Sequence, residues 1–245
     1  MSTNSKSSRA ETVLEKRKNV LKKGSPFVIS EAYKTARTNL MFTLANSPKK
    51  VVVITSCNPG EGKSTSCVNM AITLAEMGAS VLVIDADLRK PTIHKLLDVK
   101  SKKGLSSILG GFNNVNEIVC EGVRENLDVI ISGPIPPNPA ELLASNKMIK
   151  LISILTEHYD YVMIDTPPIN VVTDSQLMNT IVSGIMFVVS EEKTTHPDIQ
   201  KAMRSIELAN GKVLGFLKVN CNSKGSKNYK KNYKYRYSYK ESSKG

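Results

Sequence analysis

The sequence lacks the features that anchor a secreted or membrane-spanning protein. Its 245 residues include four scattered cysteines, with no C-x-x-C pair. This argues against a disulfide framework or a zinc site. No apolar run reaches the length of a membrane span, and the N-terminus has no hydrophobic signal region. We therefore expect a protein of the reducing cytosol, and any association with a membrane must come through charge or a partner. The cysteines are Cys57, Cys67, Cys120 and Cys221.

Net charge is missing from the middle of the chain and concentrated at its ends. Residues 1–25 carry a net charge of +5 and residues 222–245 carry +7, which accounts for the whole formal charge of +12. We predict a basic N-terminal extension over 1–25, a folded domain over 26–221 and a disordered tail over 222–245. The basic ends could contact anionic lipid, nucleic acid or an acidic surface of another subunit, and charge alone does not choose among them.

The stretch VVVITSCNPGEGKST, residues 51–65, predicts a phosphate site. A β-favouring run leads into a glycine-bearing loop and then into a run with helical spacing. Backbone N–H groups at a helix start have no helical partner and bind anions, while the lysine supplies a charge to the outer phosphates and the serine a ligand for Mg²⁺. Cys57 stands where the G-x-x-x-x-G-K-[ST] pattern has its first glycine. The residues predicted to bind the nucleotide, ATP or GTP, are Pro59, Gly60, Glu61, Gly62, Lys63, Ser64 and Thr65.

Apolar runs that alternate with helical patterns predict the fold. Strands are expected at 51–55, 81–85, 127–131, 161–165, 185–189 and 213–219, and helices at 30–46, 64–77, 139–157 and 197–210. The region 91–126 is interpreted as small helices and loops. This order predicts a single doubly wound α/β P-loop domain with a mostly parallel central sheet, helices on both faces and flexible basic termini.

Three aspartates follow predicted strands. Asp85, Asp87 and Asp165 stand at or just past strand ends. In a parallel sheet these ends share one edge with the phosphate loop, so the carboxylates and the loop can converge. Carboxylates ligate Mg²⁺ and can accept a proton from a hydroxyl that attacks a phosphoryl group. We predict Lys63, Asp85, Asp87 and Asp165 as catalytic residues and Ser64, Asp85 and Asp165 as metal ligands.

The predicted tail concentrates tyrosine among basic residues. It holds five of the chain's eight tyrosines within eleven residues, and no aliphatic residue. Basic residues interleaved with aromatic ones can bind single-stranded nucleic acid. Alternatively the tyrosines accept phosphate, each adding about −1.5 to −2 charges. The candidate acceptors are Tyr229, Tyr233, Tyr235, Tyr237 and Tyr239.

A charged stripe runs along the first predicted helix. Glu31, Lys34 and Arg37 follow one another at spacings of three. Such a stripe is usually a solvated face, and without further information that interpretation is preferred.

Together these motifs resemble a known family. SCNPGEGKST, VLVIDADLRKP and YVMIDTPP, followed by a tyrosine-clustered tail, resemble the bacterial tyrosine kinases of capsule and exopolysaccharide synthesis in their stand-alone cytoplasmic form. The resemblance implies a protein-tyrosine kinase that uses ATP and Mg²⁺ and phosphorylates its own tail in trans. It makes Asp85 and Asp87 the family's extra acidic motif and Asp165 the Walker B carboxylate, and it places Asn220 near adenine.

The resemblance also implies partners. The charged stripe resembles the family's E-x-x-R-x-x-R self-association motif, with Lys34 in place of the first arginine. This implies a ring-like homo-oligomer. A membrane-anchored activator or chain-length regulator and a cognate tyrosine phosphatase are further expected partners, whereas nucleic acid is not expected.

Two other functions share the phosphate loop. A partitioning or division-site ATPase of the MinD or ParA kind would carry a signature lysine five residues before Lys63, and Asn58 stands there. A basic-tailed nucleic-acid-binding ATPase would explain the charge but not the density of tyrosine.

Overall fold

A central sheet organises the protein. The structure, a computed structural model, describes residues 17–221. Within these residues, seven strands lie in the order β3-β4-β2-β5-β1-β6-β7, all parallel except for the antiparallel β3–β4 pair. The predicted fold class is confirmed. The strands are β1 (Val51–Ser56), β2 (Val81–Asp85), β3 (Val119–Arg124), β4 (Leu127–Ile130), β5 (Tyr161–Asp165), β6 (Gly184–Ser190) and β7 (Val213–Val219).

Helices cover both faces of the sheet and divide the core in two. One hydrophobic cluster joins the sheet to α1, α2 and α3, and the other joins it to α4 through α8. Successive residues of β1 alternate between them, with Val52 and Ile54 in the first and Val51 and Val53 in the second. The helices are α1 (Phe27–Thr43), α2 (Lys63–Ala75), α3 (Ile93–Leu96), α4 (Leu105–Leu109), α5 (Val115–Ile118), α6 (Pro139–Leu143), α7 (Asn146–His158) and α8 (His196–Leu208), with a 3₁₀ turn at Gln176–Met178.

The middle strands match the sequence prediction most closely. Every residue of β1, β2 and β5 is buried, as expected of parallel strands covered on both faces. Their carboxyl ends point the same way and form one edge of the sheet, called here the carboxyl edge. The phosphate loop leaves β1 at this edge, beside the strand-end aspartates.

The start of α1 was predicted too late. The helix begins at Phe27 and not at Ser30, and Pro26 is its N-cap. The Pro26 carbonyl accepts the N–H groups of Ile29 and Ser30 at 3.0 and 3.1 Å. Proline fixes a backbone angle close to that of a helix, so it can begin one without a polar cap.

Strand β3 was missed, because 91–126 was predicted to hold only small helices and loops. No residue of this edge strand is buried, and Glu121 and Gly122 stand in its middle, so apolar periodicity does not mark it. Asn126, in the left-handed conformation with φ of 58°, turns the chain into β4. An asparagine between two short β-favouring runs is the sequence signal for this hairpin.

The helix predicted over 139–157 is two helices. The side chain of Ser145 accepts the N–H of Met148 at 3.3 Å and caps α7, which ends α6 at Leu143. Serine is a favoured N-cap because its side chain satisfies a free helical N–H.

Residues before the predicted boundary at 25 also pack on the domain. Val20 and Leu21 are each only 4% exposed and belong to the core that α1 and α2 share. Within residues 17–221, no helix has both the length and the apolar character needed to cross a membrane.

Candidate functional site

The phosphate loop joins β1 to α2 at the carboxyl edge. Gly60 and Gly62 have φ of 78° and 88°, in the left-handed region that glycine adopts without strain. Helix α2 begins at Lys63, and its N-cap, Gly62, has no side-chain cap. The first N–H groups of the helix therefore remain available to an anion, and the helix dipole favours negative charge there.

A neighbouring loop braces the phosphate loop. The buried carboxylate of Glu61 accepts the N–H of Asn58 at 2.8 Å and the hydroxyl of Thr194 at 2.7 Å. Lys193 donates from Nζ to the Gly60 carbonyl at 3.2 Å. Glu61 was predicted to bind ATP as part of the loop. Its side chain bonds to protein groups, so its N–H is the group left for a phosphate.

Lys63 joins the loop to two of the predicted carboxylates. Its Nζ lies 3.0 Å from Asp87 Oδ2 and 3.4 Å from both carboxylate oxygens of Asp165. Burial disfavours the charged form of Lys63, but attraction to Asp165 and Asp87 outweighs it, so its pKa is raised. The side chain of Lys63 is 12% exposed and stays an ammonium at neutral pH.

Asp85 and Asp165 lie side by side. Both residues end their strands, and the register of β2 and β5 pairs them directly. Both are fully buried. Burial, followed by repulsion from Asp165, raises the pKa of Asp85 to about 7. Burial also raises the pKa of Asp165, although the Lys63 ammonium opposes the shift. The carboxylates and the phosphate loop thus converge, as predicted from the order of the strands.

The two oxygens of Asp85 differ in their surroundings. Oδ2 accepts the N–H groups of Thr92 and Ile93, each at 3.0 Å. Oδ1 is buried and has no hydrogen-bond partner among residues 17–221. A buried carboxylate oxygen without a partner is costly unless a ligand or a proton satisfies it. It therefore fits a group that the chain itself does not supply.

The donor set fits Mg²⁺ bound together with a nucleotide. Ser64 is buried at the start of α2, with its Oγ 3.3 Å from Lys63 Nζ and close to Asp165. Within residues 17–221, no group of three His, Cys, Asp or Glu side chains could hold a metal alone. Mg²⁺ commonly takes one or two carboxylates and completes its shell with phosphates and water. Ser64, Asp165 and the open Oδ1 of Asp85 suit that arrangement.

Asp85 should make the stability of the unliganded chain depend on pH. An unfolded aspartate has a pKa of about 3.9. Between about pH 4 and the folded pKa of about 7, the unfolded chain has released a proton that folded Asp85 still holds. The free energy of unfolding should therefore fall as pH rises through this window, by about 1.4 kcal/mol per unit of pKa difference.

Denaturant titrations at stepped pH, without nucleotide or Mg²⁺, measure this effect. Asp85→Asn should flatten the dependence, because an amide does not titrate. Asp98→Asn is the matched control: a hydrogen bond from Arg17 lowers the pKa of Asp98, so this variant should alter the dependence only below about pH 4. An unchanged slope in Asp85→Asn would contradict the prediction.

Asn220 lies at the same edge but apart from the carboxylates. It follows β7 with φ of 53°, and its Nδ2 donates to Ser190 Oγ, at the end of β6, at 3.2 Å. β6 separates β7 from β1. Its predicted contact with adenine stays a prediction.

The charged stripe of α1 is not one solvated face. Lys34 pairs with Glu31 at 2.8 Å, both partly exposed. Arg37 instead turns toward α2, donating to the Thr73 carbonyl at 2.7 Å with its Nε buried. The preferred interpretation as a solvated stripe is therefore wrong for Arg37. Self-association through this stripe stays a prediction, and the five candidate tyrosines of the tail lie outside the described residues.

An ion pair beside the site was not predicted from the sequence. Arg89, two residues after Asp87, donates from Nε and from a terminal nitrogen to the two carboxylate oxygens of Asp174 at 3.0 and 3.2 Å. Asp174 is fully buried. The pair fixes the loop after β2 to the loop after β5, so it positions the segments that carry Asp87 and Asp165. An arginine within the DADLRKP motif was its only signal.

The chain is similar to known proteins over most of its length. The AAA domain family (AAA_31) matches residues 49–212. The putative tyrosine-protein kinase CapB of Staphylococcus aureus is 41% identical over 187 residues, which are 76% of this chain and 82% of CapB. The tyrosine-protein kinase YwqD of Bacillus subtilis is 43% identical over 186 residues, covering 76% of this chain and 78% of YwqD.

Solved structures extend the agreement to the fold. The crystal structure of the chimerical protein CapA2B2 has a TM-score of 0.75 and 39% identity, covering 80% of this chain and 85% of that chain. The septum site-determining protein MinD of Pyrococcus horikoshii has a TM-score of 0.58 and 24% identity over 68% of both chains, which shows a shared fold alone.

Proposed function

The chain belongs to the bacterial tyrosine-protein kinases, and from that premise we propose that it transfers the γ-phosphoryl group of ATP to tyrosines in the C-terminal tail of a neighbouring copy. We further propose that this reaction regulates the synthesis and export of capsular or other extracellular polysaccharide. In this proposal, residues 26–221 catalyse transfer of the phosphoryl group, and residues 222–245 carry the tyrosines that accept it.

One observation supports the proposal most. The Lys63 ammonium, the hydroxyl of Ser64 and the carboxylates of Asp85, Asp87 and Asp165 meet beside a phosphate loop with an uncapped helix start. Phosphoryl transfer needs positioning and charge stabilisation more than covalent chemistry by the protein. This cluster offers a cation for phosphates, oxygen ligands for a metal, and a carboxylate for a proton.

Lys63 would bind the phosphates of ATP, the phosphoryl donor. Its ammonium now satisfies Asp87 and Asp165, and in the complex it would neutralise the β- and γ-phosphates. Ser64 and Asp165 would hold Mg²⁺, which draws charge from the same phosphates. Asp87 would support the site, since its Oδ1 accepts the Lys90 N–H at 2.9 Å and is thereby fixed.

Asp85 would act on the acceptor tyrosine as a general base. A general base works best when its pKa lies near the working pH, and burial raises the pKa of Asp85 to about 7. The tyrosine oxygen would bond to the γ-phosphorus, the bond to the β-phosphate oxygen would break, and ADP would leave. Asp85 would take the phenolic proton.

The expected partners belong to the same proposal. A membrane-anchored activator would bring the kinase to the membrane, a ring-like oligomer would present each tail to the next site, and a tyrosine phosphatase would reverse the reaction. These expectations rest on the resemblance of the sequence motifs. Transfer between copies is the step that can be tested with the chain alone, or with its activator if one is required.

A mixing experiment tests transfer in trans. Lys63→Met chains, which keep their tail, are incubated with Mg-ATP and active chains from which residues 222–245 are deleted. We expect mass spectrometry to find phosphotyrosine between 229 and 239 of the Lys63→Met chain. The same Lys63→Met chain without its partner should remain unmodified.

Two outcomes would count against the proposal. If the intact active chain modifies itself but never the Lys63→Met chain, transfer occurs in cis. If Mg-ATP is hydrolysed with no phosphotyrosine in any mixture, and hydrolysis responds to DNA or lipid, the chain acts as an ATPase switch.

A further inference from the structure

A short basic segment ahead of α1 carries charge of one sign. We call residues 18–29, with the sequence KNVLKKGSPFVI, the interfacial segment. It contains Lys18, Lys22 and Lys23, all exposed, and no acidic residue. Arg17, just before it, is paired with Asp98 at 2.7 Å and is left out of the segment. The positive charge of the segment is therefore not neutralised within its own length.

The segment is anchored to the domain at its start. Val20 and Leu21 are buried. The side-chain amide of Asn69, on α2, accepts the Leu21 N–H at 2.8 Å and donates to the Asn19 carbonyl at 3.0 Å. Arg124, on β3, donates to the Leu21 carbonyl at 2.6 Å. These bonds fix the backbone, so the lysines beside it occupy a set place on the surface.

A tight turn then leads into α1. Lys22 and Ser25 exchange two hydrogen bonds of 2.9 Å, and Gly24 has φ of 89° at the tip. A side chain added at Gly24 would meet no atom within 4 Å, so the tip faces open space. Pro26 then caps α1. Both ends of the turn are fixed by the fold, and its middle projects from it.

Three consecutive apolar residues follow the lysines and remain substantially exposed. Phe27, Val28 and Ile29 are 47%, 51% and 47% exposed in the first turn of α1. A contiguous exposed apolar group beside a basic one is characteristic of a binding surface. Apolar side chains that enter the headgroup boundary, flanked by lysines that attract anionic lipid, are the usual composition of an interfacial membrane site.

We propose that the interfacial segment binds directly to an anionic lipid surface. Lys18, Lys22 and Lys23 lie against headgroup phosphates, and Val28 and Ile29 enter the boundary between headgroups and acyl chains. Charge complementarity favours lipid as the occupant, because three exposed lysines and no acidic residue suit headgroup phosphates. Contact with a second copy is an outcome that the experiment below distinguishes. This contact goes beyond the proposed function, in which an activator alone reaches the membrane, and testing it requires neither ATP nor a tyrosine acceptor.

Vesicle sedimentation of the full chain tests the proposal. We expect binding to phosphatidylcholine vesicles that contain phosphatidylglycerol, weak binding to phosphatidylcholine alone, and loss of binding at high salt. Lys22→Glu/Lys23→Glu and Val28→Ser/Ile29→Ser should each reduce the partition coefficient by about tenfold or more. The basic tail is present in every variant and contributes equally to all of them.

Matched variants separate the segment from general charge and apolarity. Lys147→Glu/Lys150→Glu makes the same charge change on α7, across the sheet from α1. Phe42→Ser removes a side chain that is 77% exposed at the far end of α1. Both controls should bind vesicles as the unchanged chain does. Thermal unfolding of each variant shows that the fold is retained.

A fluorescence probe gives a second readout. The chain contains no tryptophan, so Val28→Trp supplies a single reporter. Its emission should shift to shorter wavelength when anionic vesicles are added, while that of Phe42→Trp should not. The proposal is overturned if both probes respond alike, or if neither does. It is also overturned if the segment variants keep full vesicle binding. If those variants bind vesicles fully but have a changed sedimentation mass in the absence of lipid, the segment contacts a second copy of the chain and not the membrane.

Discussion

Replacing Lys63 with methionine is expected to reduce tyrosine phosphorylation by about a hundredfold to a thousandfold, or below detection. Methionine keeps the length and apolar stem of the side chain and removes the ammonium. The phosphates of ATP would then lack the point charge at the start of α2. The measurement is phosphotyrosine formed per unit time, by mass spectrometry, in chains that carry their own tail.

The same substitution changes the unliganded protein. In the absence of ATP, Lys63 lies within 3.4 Å of two carboxylates that are almost wholly buried. Removing one partner of a buried pair leaves a charge without compensation, which is usually strongly destabilising. Because the Lys63 ammonium opposes the raised pKa of Asp165, Asp165 would then be expected to hold its proton to a higher pH. The variant should therefore unfold more easily than the parent, and increasingly so as pH rises.

Loss of activity must be separated from loss of fold. Lys201→Met is a matched control: it makes the same change at an exposed lysine on α8 that donates to the Asn170 carbonyl at 3.3 Å. It should retain activity. The Lys63→Met variant should still unfold in one cooperative transition below pH 7. Phosphorylation at the parental rate in a folded Lys63→Met chain would exclude the proposed role.

The meeting of the strand-end aspartates with the phosphate loop could be predicted from the sequence, because it follows from a parallel sheet. β2 and β5 are continuous apolar runs that end in Asp85 and Asp165, and β1 leads directly into the phosphate loop. Parallel strands bring such ends together whatever separates them in the chain. The convergence on Lys63 was thus available from the order of the runs alone. The side-chain distances were not, because they depend on strand order and register.

The missed contacts share a different physical cause. Glu61 and Thr194 are 133 residues apart, and Arg89 and Asp174 are 85 apart. In each pair, the geometry of the loops brings two polar residues together, and no repeating pattern in the nearby sequence indicates the contact. The inward turn of Arg37 has the same origin: helical spacing gives its face on α1, but only the packing of α2 brings the Thr73 carbonyl within reach. The periodicity of a sequence predicts which face of a helix or strand a residue lies on, but it does not predict the hydrogen-bond partner of its side chain.

Replacing Asp85 with asparagine is expected to reduce tyrosine phosphorylation by about a hundredfold to ten-thousandfold, the usual contribution of a general base. Asparagine is similar in shape and can still accept the Thr92 and Ile93 N–H groups through its carbonyl oxygen. It cannot take a proton from a tyrosine. Because it also removes a buried acid whose pKa is raised, the variant should fold at least as stably near neutral pH. Low activity is then a chemical effect.

Changing the acidity of the tyrosine acceptor can distinguish whether Asp85 acts as a general base or as a metal ligand. If Asp85 takes the phenolic proton, fluorinated tyrosine peptides, whose phenols are more acidic, should recover part of the rate lost in Asp85→Asn. If Asp85 instead holds Mg²⁺, raising the concentration of Mg²⁺ should recover it, and the fluorinated acceptor should not. Undiminished turnover of Asp85→Asn with ordinary tyrosine would rule out both roles. Since a pKa of about 7 lets Asp85 accept a proton near neutral pH, we expect the fluorinated acceptor to give the larger recovery.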